Sequence, residues 1–335
     1  MFDDKKILIT GGTGSLGQAL TEQLLKYNIK TLRILSRNES KQVEMQSKFD
    51  DDRLRFLIGD IRDKDRLSRA VEDIDIVFHT AALKQVPLIE YNPSEAIMTN
   101  IIGTQNLVME CARNHVEKVI GVGTDKAVSP LNTYGATKLL MEKILISAAN
   151  QFSVIKYKTR FVSLRYGNVV ASSGSVVPVF IRQIKNKQKI TITDPKMTRF
   201  NITMKEAVEF ILSSTEMAVG SEVFVPKLHA YNIMDVKDAL MDLLGNTGYE
   251  IINVRPGEKM HELLINEYEI PYSKDLGDRY ALLDPQVFAG STITRTEIIE
   301  RYKNAKQAEF QHEYSSDSVP LMSKEELKSM LSHYI

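Results

Sequence analysis

The chain has 335 residues, with 43 Lys plus Arg balanced by 43 Asp plus Glu. That balance excludes the positive excess with which proteins hold nucleic acids or anionic membrane surfaces. The length suits two domains or one large α/β unit, and a single cysteine, Cys111, excludes an internal disulfide framework and suits a reducing compartment.

From Lys6 onward, short β-branched runs alternate with segments of helical spacing. KILIT (6–10), TLRILS (31–36), LRFLIGD (54–60), DIVFHTA (75–81), KVIGVGT (118–124) and RFVSLRYG (160–167) read as strands. Strands alternating with helices predict an α/β fold with a doubly wound parallel sheet of the Rossmann type. Residues 1–166 are assigned to that domain, rejoined by about 200–228, and 167–335 mainly to a smaller C-terminal substrate-binding domain. In the second half, helices are expected near 176–184 and 204–217, and SEVFVPKL as a returning strand; the tail from Ala289 is assigned no chemistry. The longest uncharged run, Tyr166 to Ile181, is too short and too polar to span a bilayer. With no apolar leader at the N-terminus, the chain is expected to be cytoplasmic, without a membrane partner.

The first strand runs into TGGTGSLG, which sets Gly11, Gly14 and Gly17 between a strand and a helix. Side chains there would block the backbone from a dinucleotide pyrophosphate seated at the helix N-terminus, so Gly11, Thr13, Gly14, Ser15, Leu16 and Gly17 are expected to cradle a dinucleotide. An NAD site places an acidic residue about 20 positions further on, for the ribose 2′-hydroxyl. Here the position holds Ser36 and Arg37, followed by Lys41, which suits a 2′-phosphate and predicts NADP; Glu39 is the residue that argues for NAD. Asp60 and Ile61 are expected at the adenine, with a helix N-cap as the alternative for Asp60, and Ala81 and Ala82 beside the nicotinamide ribose.

After the fifth strand comes TDKAVSPLNTYGATK, with Tyr134 and Lys138 four residues apart on one helix face. A phenol with a pKa near 10 is a poor base, but a nearby ammonium and an oxidised nicotinamide favour the phenolate. Together with the glycine turn, this pair resembles the extended short-chain dehydrogenase/reductase family.

The resemblance extends along nearly the whole chain. ITGGTGSLG, SRNESKQ, IGDIRD, AALKQVP, EYNPSEAIMTNIIGT, TDKAVSPLNTYGATK, RYGNVVASSGSVVP, ITDPKMTRF and RPGEK resemble the inverting UDP-N-acetylglucosamine 4,6-dehydratases that open the pseudaminic acid pathway. Ordinary 4,6-dehydratases carry an Asp-Glu pair where this chain has Asp125 and Lys126 after Thr124. The resemblance implies UDP-N-acetylglucosamine as substrate, a 4-keto-6-deoxy product of L-arabino configuration, and a homo-oligomer, with a hexamer as the form suggested. Oxidation at C4 makes the C5 proton acidic, so Lys126 is read as the C5 base and Asp125 as the acid for the departing C6 hydroxyl. That needs the lysine pKa to fall and the aspartate pKa to rise. Burial acts in both directions, a salt bridge between the two opposes it, and the sequence leaves both outcomes open.

Lys84 is expected at the cofactor or sugar, Asn168 at the diphosphate and sugar, and Val176 and Val177 along the nucleotide. Arg199 would address the diphosphate, and Arg255 with Glu258 the ribose. Surface salt bridges are the alternative for these charged residues. The six histidines show no metal-ligand spacing, so no metal is expected. Other readings are a capsule-type dehydratase and 5-epimerase, a retaining 4,6-dehydratase, and a non-catalytic NADP-binding sensor. The intact Tyr134 argues against the capsule type, and the undamaged Tyr134, Lys138 and Asp-Lys pair argue against the sensor.

Overall fold

A computed structural model describes residues 1–151, 158–171, 175–254, 256–286, 293–310 and 312–335. The first half lays down β1 (Lys6–Thr10), α1 (Ser15–Leu24), β2 (Thr31–Ser36), α2 (Glu39–Phe49), β3 (Leu54–Ile58), α3 (Lys64–Val71) and β4 (Ile76–His79). Next come α4 (Val86–Tyr91), α5 (Pro93–Ala96), a π-helical turn (Ile97–Ile102), α6 (Gly103–Arg113), β5 (Lys118–Val122), α7 (Thr133–Gln151) and β6 (Arg160–Leu164). All six strands are found where the β-branched runs place them, and four end two to three residues early. The overhanging residues leave the sheet as loops, and those loops build the site described below.

The six strands pair in parallel in the order β3-β2-β1-β4-β5-β6. Successive residues feed opposite faces. Ile7 and Ile9 join a core cluster with Leu20, Leu24 and Ile211, whereas Leu8 joins another with Leu67, Leu107 and Leu145. Burial on both sides explains why these strands read as unbroken apolar runs.

The second half contributes β7 (Asn168–Val169), α8 (Val176–Lys185), β8 (Ile190–Ile192), β9 (Thr198–Ile202), α9 (Met204–Met217), β10 (Glu222–Pro226), β11 (Ala230–Asn232), α10 (Ile233–Leu244) and β12 (Tyr249–Ile251). It continues with β13 (Leu263–Ile265), β14 (Ser273–Asp275), β15 (Arg279–Leu283), α11 (Ile293–Tyr302), β16 (Lys306–Gln307), β17 (Tyr314–Ser315) and α12 (Lys324–Leu331). β10 extends the sheet in parallel beside β6, and β15, β14 and β16 add three antiparallel strands beyond it. A separate cluster of Val177, Phe180, Ile184, Leu240 and Leu327 packs α8, α10 and α12 around the small sheets.

The two halves are stapled by a buried ion network. Arg165, 1% exposed, donates from Nε and Nη2 to Glu142 of α7 at 2.7 and 2.6 Å, and to Glu269 and the Leu264 carbonyl. Breaking one partner of such a pair leaves an uncompensated buried charge. Arg165→Met is therefore expected to cost about 3–5 kcal/mol of unfolding free energy, read as a lower urea midpoint; an unchanged midpoint would contradict this.

Candidate active site

The loops that leave the C-terminal ends of β1, β4, β5 and β6 surround a cavity of about 1350 Å³. This is where ligands bind in open α/β sheets, at the point where strand order reverses. Gly11, Thr13, Gly14, Ser15, Leu16, Gly17, Ser36, Arg37, Lys41, Asp60, Ile61, Ala81, Ala82, Lys84, Thr124, Lys126, Tyr134, Lys138, Asn168, Val176, Arg199 and Glu258 all line it. Asp125 and Val177 do not, and Arg255 lies outside the described residues.

The glycine turn fits a dinucleotide. Gly11 has φ +70°, and a Cβ there would fall 2.7 Å from Ala81 Cα, so the turn presses against the loop after β4. Gly14 caps α1 with no side chain, and the helix has no acidic residue in its first turn. The first-turn N–H groups and the positive helix end therefore face the cavity without a competing carboxylate. Beyond β2, Ser36 is held by Thr13 and Gln42 at 3.0 and 3.3 Å, leaving Arg37 and Lys41 on the wall. Asp63 caps α3, so Asp60 is no N-cap. Burial would raise the Asp60 carboxyl, but hydrogen bonds from Arg62 hold it below the usual range.

Tyr134 and Lys138 enter from the start of α7. Burial pushes the phenol up to about 12, although the Lys126 ammonium and a hydrogen bond from Thr124 oppose it. Burial pulls Lys138 down to about 7, and its Nζ donates to the Val122 carbonyl at 2.6 Å. The expected activation of the phenol by Lys138 is therefore not seen in the protein alone: desolvation outweighs it.

The ThrAspLys turn is the most charged part. Asp125 is fully buried, and its Oδ1 accepts from Thr124 Oγ1 at 2.8 Å and from Lys126 Nζ at 3.1 Å. Burial raises the aspartate, the direction an acid role requires. For Lys126 the structure decides between the two outcomes that the sequence left open. Burial would lower it, but Asp125 and Glu262, at 3.1 and 3.2 Å, together raise it above its ordinary value. The salt bridge wins, and Lys126 rests as an ammonium.

Two further expectations are corrected. Arg199 offers no free fork to a diphosphate: its Nη1 donates to the Thr198 and Met260 carbonyls at 2.7 and 3.0 Å, and its Nη2 lies 3.3 Å from Glu258. It clamps the segment around Glu258 onto β9. Val177 packs into the core of the second half, because adjacent helical residues point about 100° apart and Val176 takes the wall.

Two residues were missed. Glu262 is 3% exposed and lines the cavity beside Lys126; nothing near it in sequence marks it. Asn100 sits fully buried inside the π-helical turn. Its Oδ1 accepts from the Leu83 N–H at 2.8 Å, and its Nδ2 donates to the Leu83 carbonyl and to Thr137 Oγ1 at 2.9 and 3.0 Å. It thereby fixes the 81–84 loop against the helix that bears Tyr134 and Lys138. A π-turn in mid-helix often marks such a site. Among the described residues, no group of three His, Cys, Asp or Glu could hold a metal ion, and no helix is long and apolar enough to cross a membrane.

The fold and the Tyr134–Lys138 pair are those of an extended short-chain dehydrogenase/reductase. The chain belongs to the family described as polysaccharide biosynthesis protein, whose model matches residues 7–283. It is 43% identical over 338 residues to a UDP-N-acetylglucosamine 4,6-dehydratase (inverting) of Campylobacter jejuni, covering 99% of both chains. It is 39% identical to a UDP-glucose 4-epimerase of Rickettsia bellii, covering 99% of this chain and 96% of that one. The solved structure of Pen from Bacillus thuringiensis superposes with a TM-score of 0.89 at 38% identity, covering 99% of both chains. A dTDP-glucose 4,6-dehydratase of Streptomyces venezuelae with NAD bound shares the fold at 20% identity and a TM-score of 0.67, covering 76% of this chain and 86% of that one.

Removing the Asn100 side chain should unpair Leu83 and loosen both loop and helix. Asn100→Ala is expected to lose about 1–3 kcal/mol of stability and to weaken cofactor binding in titration; unaltered binding and an unaltered melting temperature would speak against the role.

Proposed function

We propose that this sugar-nucleotide dehydratase converts UDP-N-acetylglucosamine into UDP-2-acetamido-2,6-dideoxy-β-L-arabino-hex-4-ulose, inverting C5, as the first step of pseudaminic acid biosynthesis. The observation that carries the reading is the buried Asp125–Lys126–Glu262 cluster beside Tyr134. A 4-epimerase, the activity in the Rickettsia relative's name, needs a group for the O4 proton alone. Loss of water from C5 and C6 needs a second base and an acid, and the cluster supplies candidates for both. The name of the Campylobacter relative supports the substrate and the inverted outcome.

Tyr134 takes the C4 hydroxyl proton, Lys126 the C5 proton. Asp125, whose carboxyl burial raises, is the acid for the C6 hydroxyl. Its carboxyl lies behind the wall; the Thr124 hydroxyl, which donates to Oδ1 at 2.8 Å at rest, must turn to accept the Asp125 proton and donate outward. A bound nicotinamide cofactor would accept hydride from C4 and return it at C6, and its oxidised ring would favour the phenolate.

We assign NADP as that cofactor. The Arg37 side chain is 56% exposed and only 3.9 Å from Asp60, so its guanidinium can turn to a 2′-phosphate with Lys41 beside it. Lys84, Asn168, Val176 and Glu258 would contact the sugar nucleotide. A homo-oligomer fits the exposed Leu88, Tyr91, Ile97, Met98 and Leu140 on adjoining helices. Both small molecules are cytoplasmic metabolites, which supports a cytoplasmic enzyme.

Incubation with UDP-N-acetylglucosamine, followed by proton NMR, should show a new C6 methyl with inverted C5 geometry. A C4 epimer without a methyl, or unchanged substrate, would sink the reading; Lys126→Ala should bind cofactor yet form no methyl. Arg37→Ala should weaken NADP by roughly 10- to 100-fold, the loss of one charge-assisted hydrogen bond, and leave NAD nearly unaffected in calorimetric titration. Equal losses for both dinucleotides would remove the 2′-phosphate assignment.

A further inference from the structure

Glu262 has no part in the steps above, yet its placement is specific. Its Oε1 lies 3.2 Å from Lys126 Nζ and 3.8 Å from Arg199 Nε, and its Oε2 is buried without a hydrogen-bond partner. Leaving a buried carboxylate oxygen unpaired costs stability, so packing alone does not account for it. The backbone is pinned from the C-terminal segment. Glu262 N–H donates to Ser316 Oγ at 2.9 Å, Ser316 N–H returns to the Glu262 carbonyl at 2.9 Å, and Ser316 Oγ meets Thr198 Oγ1 at 2.7 Å.

The surroundings of Lys126 give the carboxylate a task. Nζ stands 3.1 Å from Asp125 Oδ1, 3.2 Å from Glu262 Oε1 and 3.0 Å from Asn168 Oδ1. An ammonium has three donors and no lone pair, so Lys126 cannot take the C5 proton until one of these three oxygens has taken a proton from it. An amide oxygen is too weak a base. Of the two carboxyls, Glu262 has a second cation, Arg199 Nε at 3.8 Å, whereas fully buried Asp125 has Lys126 alone, so Asp125 is the one that carries the proton for C6. Glu262 is the remaining acceptor.

We propose that Glu262 is the proton partner of Lys126, a positioning residue that stores the Nζ proton while Lys126 acts as the base. The inference rests on the dehydratase reading. An Nζ–H bond breaks and an Oε1–H bond forms, converting ammonium and carboxylate into amine and carboxylic acid. The amine takes the C5 proton, the C5–H electrons form the C5–C6 double bond, and the C6–O bond breaks as the Asp125 proton leaves with it as water. The proton stored on Glu262 then passes through Lys126 to Asp125, and all three groups are back at rest. The proton that C5 later regains equals the one Tyr134 took from the C4 hydroxyl, exchanged through solvent.

The other groups facing the pair are Asp125 and Tyr134, Arg199 on β9, Tyr231 on β11 and Lys259 on the approach to β13; Glu258 pairs with Arg199, and His261 bonds Thr198. Arg199 and Lys259 favour the Glu262 carboxylate at rest, so the transfer is uphill and brief.

Glu262→Gln keeps the shape and cannot take the proton. The expected result is a kcat about 100-fold or more below wild type, the scale of general acid–base steps, with KM and cofactor binding within about threefold. The remaining rate should climb with pH, because solvent must now deprotonate Lys126, and Glu262→Asp should restore part of the rate with a wild-type profile. In a single turnover, Glu262→Gln should still reduce the cofactor, read at 340 nm, while water loss lags. If Glu262 only held Lys126 charged, its removal would lower the lysine pKa, move the profile toward acid and leave or raise the neutral rate. That result overturns the proposal, as does a loss with raised KM, an unchanged pH profile and no rescue by Asp. A wild-type protein that forms no 4-keto-6-deoxy product would instead remove the underlying reaction.

Discussion

The Lys126 ammonium is the point on which the two halves of the chain converge. It comes from the turn after β5, and its three oxygen partners come from that turn, from β7 and from the segment before β13. Without a cation there, two buried carboxyl groups and a buried arginine would share a dry space with no arrangement of full charge that satisfies all three. The same contact that holds the second half over the sheet therefore sets the charge state of Lys126.

Desolvation governs the rest of the site in one direction, toward neutral groups. Tyr134 is pushed up to about 12 and Lys138 down to about 7 by burial. His79, bonded between Thr10 and Thr104 beneath them, is driven down to about 3, so it stays a neutral structural link. The protein alone holds its phenol protonated.

What the sequence revealed and what it hid divide along contact range. The glycine turn, the Tyr134–Lys138 spacing and the buried strands are local patterns, and periodicity or short spacing is enough to find them. Lys126 was singled out by the family resemblance, but its charge was not readable, because one deciding partner, Glu262, lies far away in sequence. Asn100 was invisible for a related reason: its work is to bond Leu83 and Thr137 across two other elements. Arg199 shows the reverse error, an arginine well suited to phosphate whose donors are spent on carbonyls and Glu258. Strands β14 and β16, of three and two residues, are too short to carry any periodic signal.

The tail to which the sequence assigned no chemistry enters the site at one remove. Ser316, fully buried, ties the backbone of Glu262 to Thr198, and Thr198 meets His261 at 2.8 Å. A carboxylate can exchange a proton with Lys126 only while its oxygen stays within hydrogen-bond reach, and a loop residue holds such a position only if its backbone is fixed on both sides. Here the fixing strands are β9 and β17, which lie more than a hundred residues apart and belong to different small sheets. The zero net charge has the same character. It conceals a cavity with Arg37 and Lys41 beyond β2 and alternating charges at Lys126, Glu262 and Arg199, an arrangement that small anionic ligands can meet without any excess of charge on the surface.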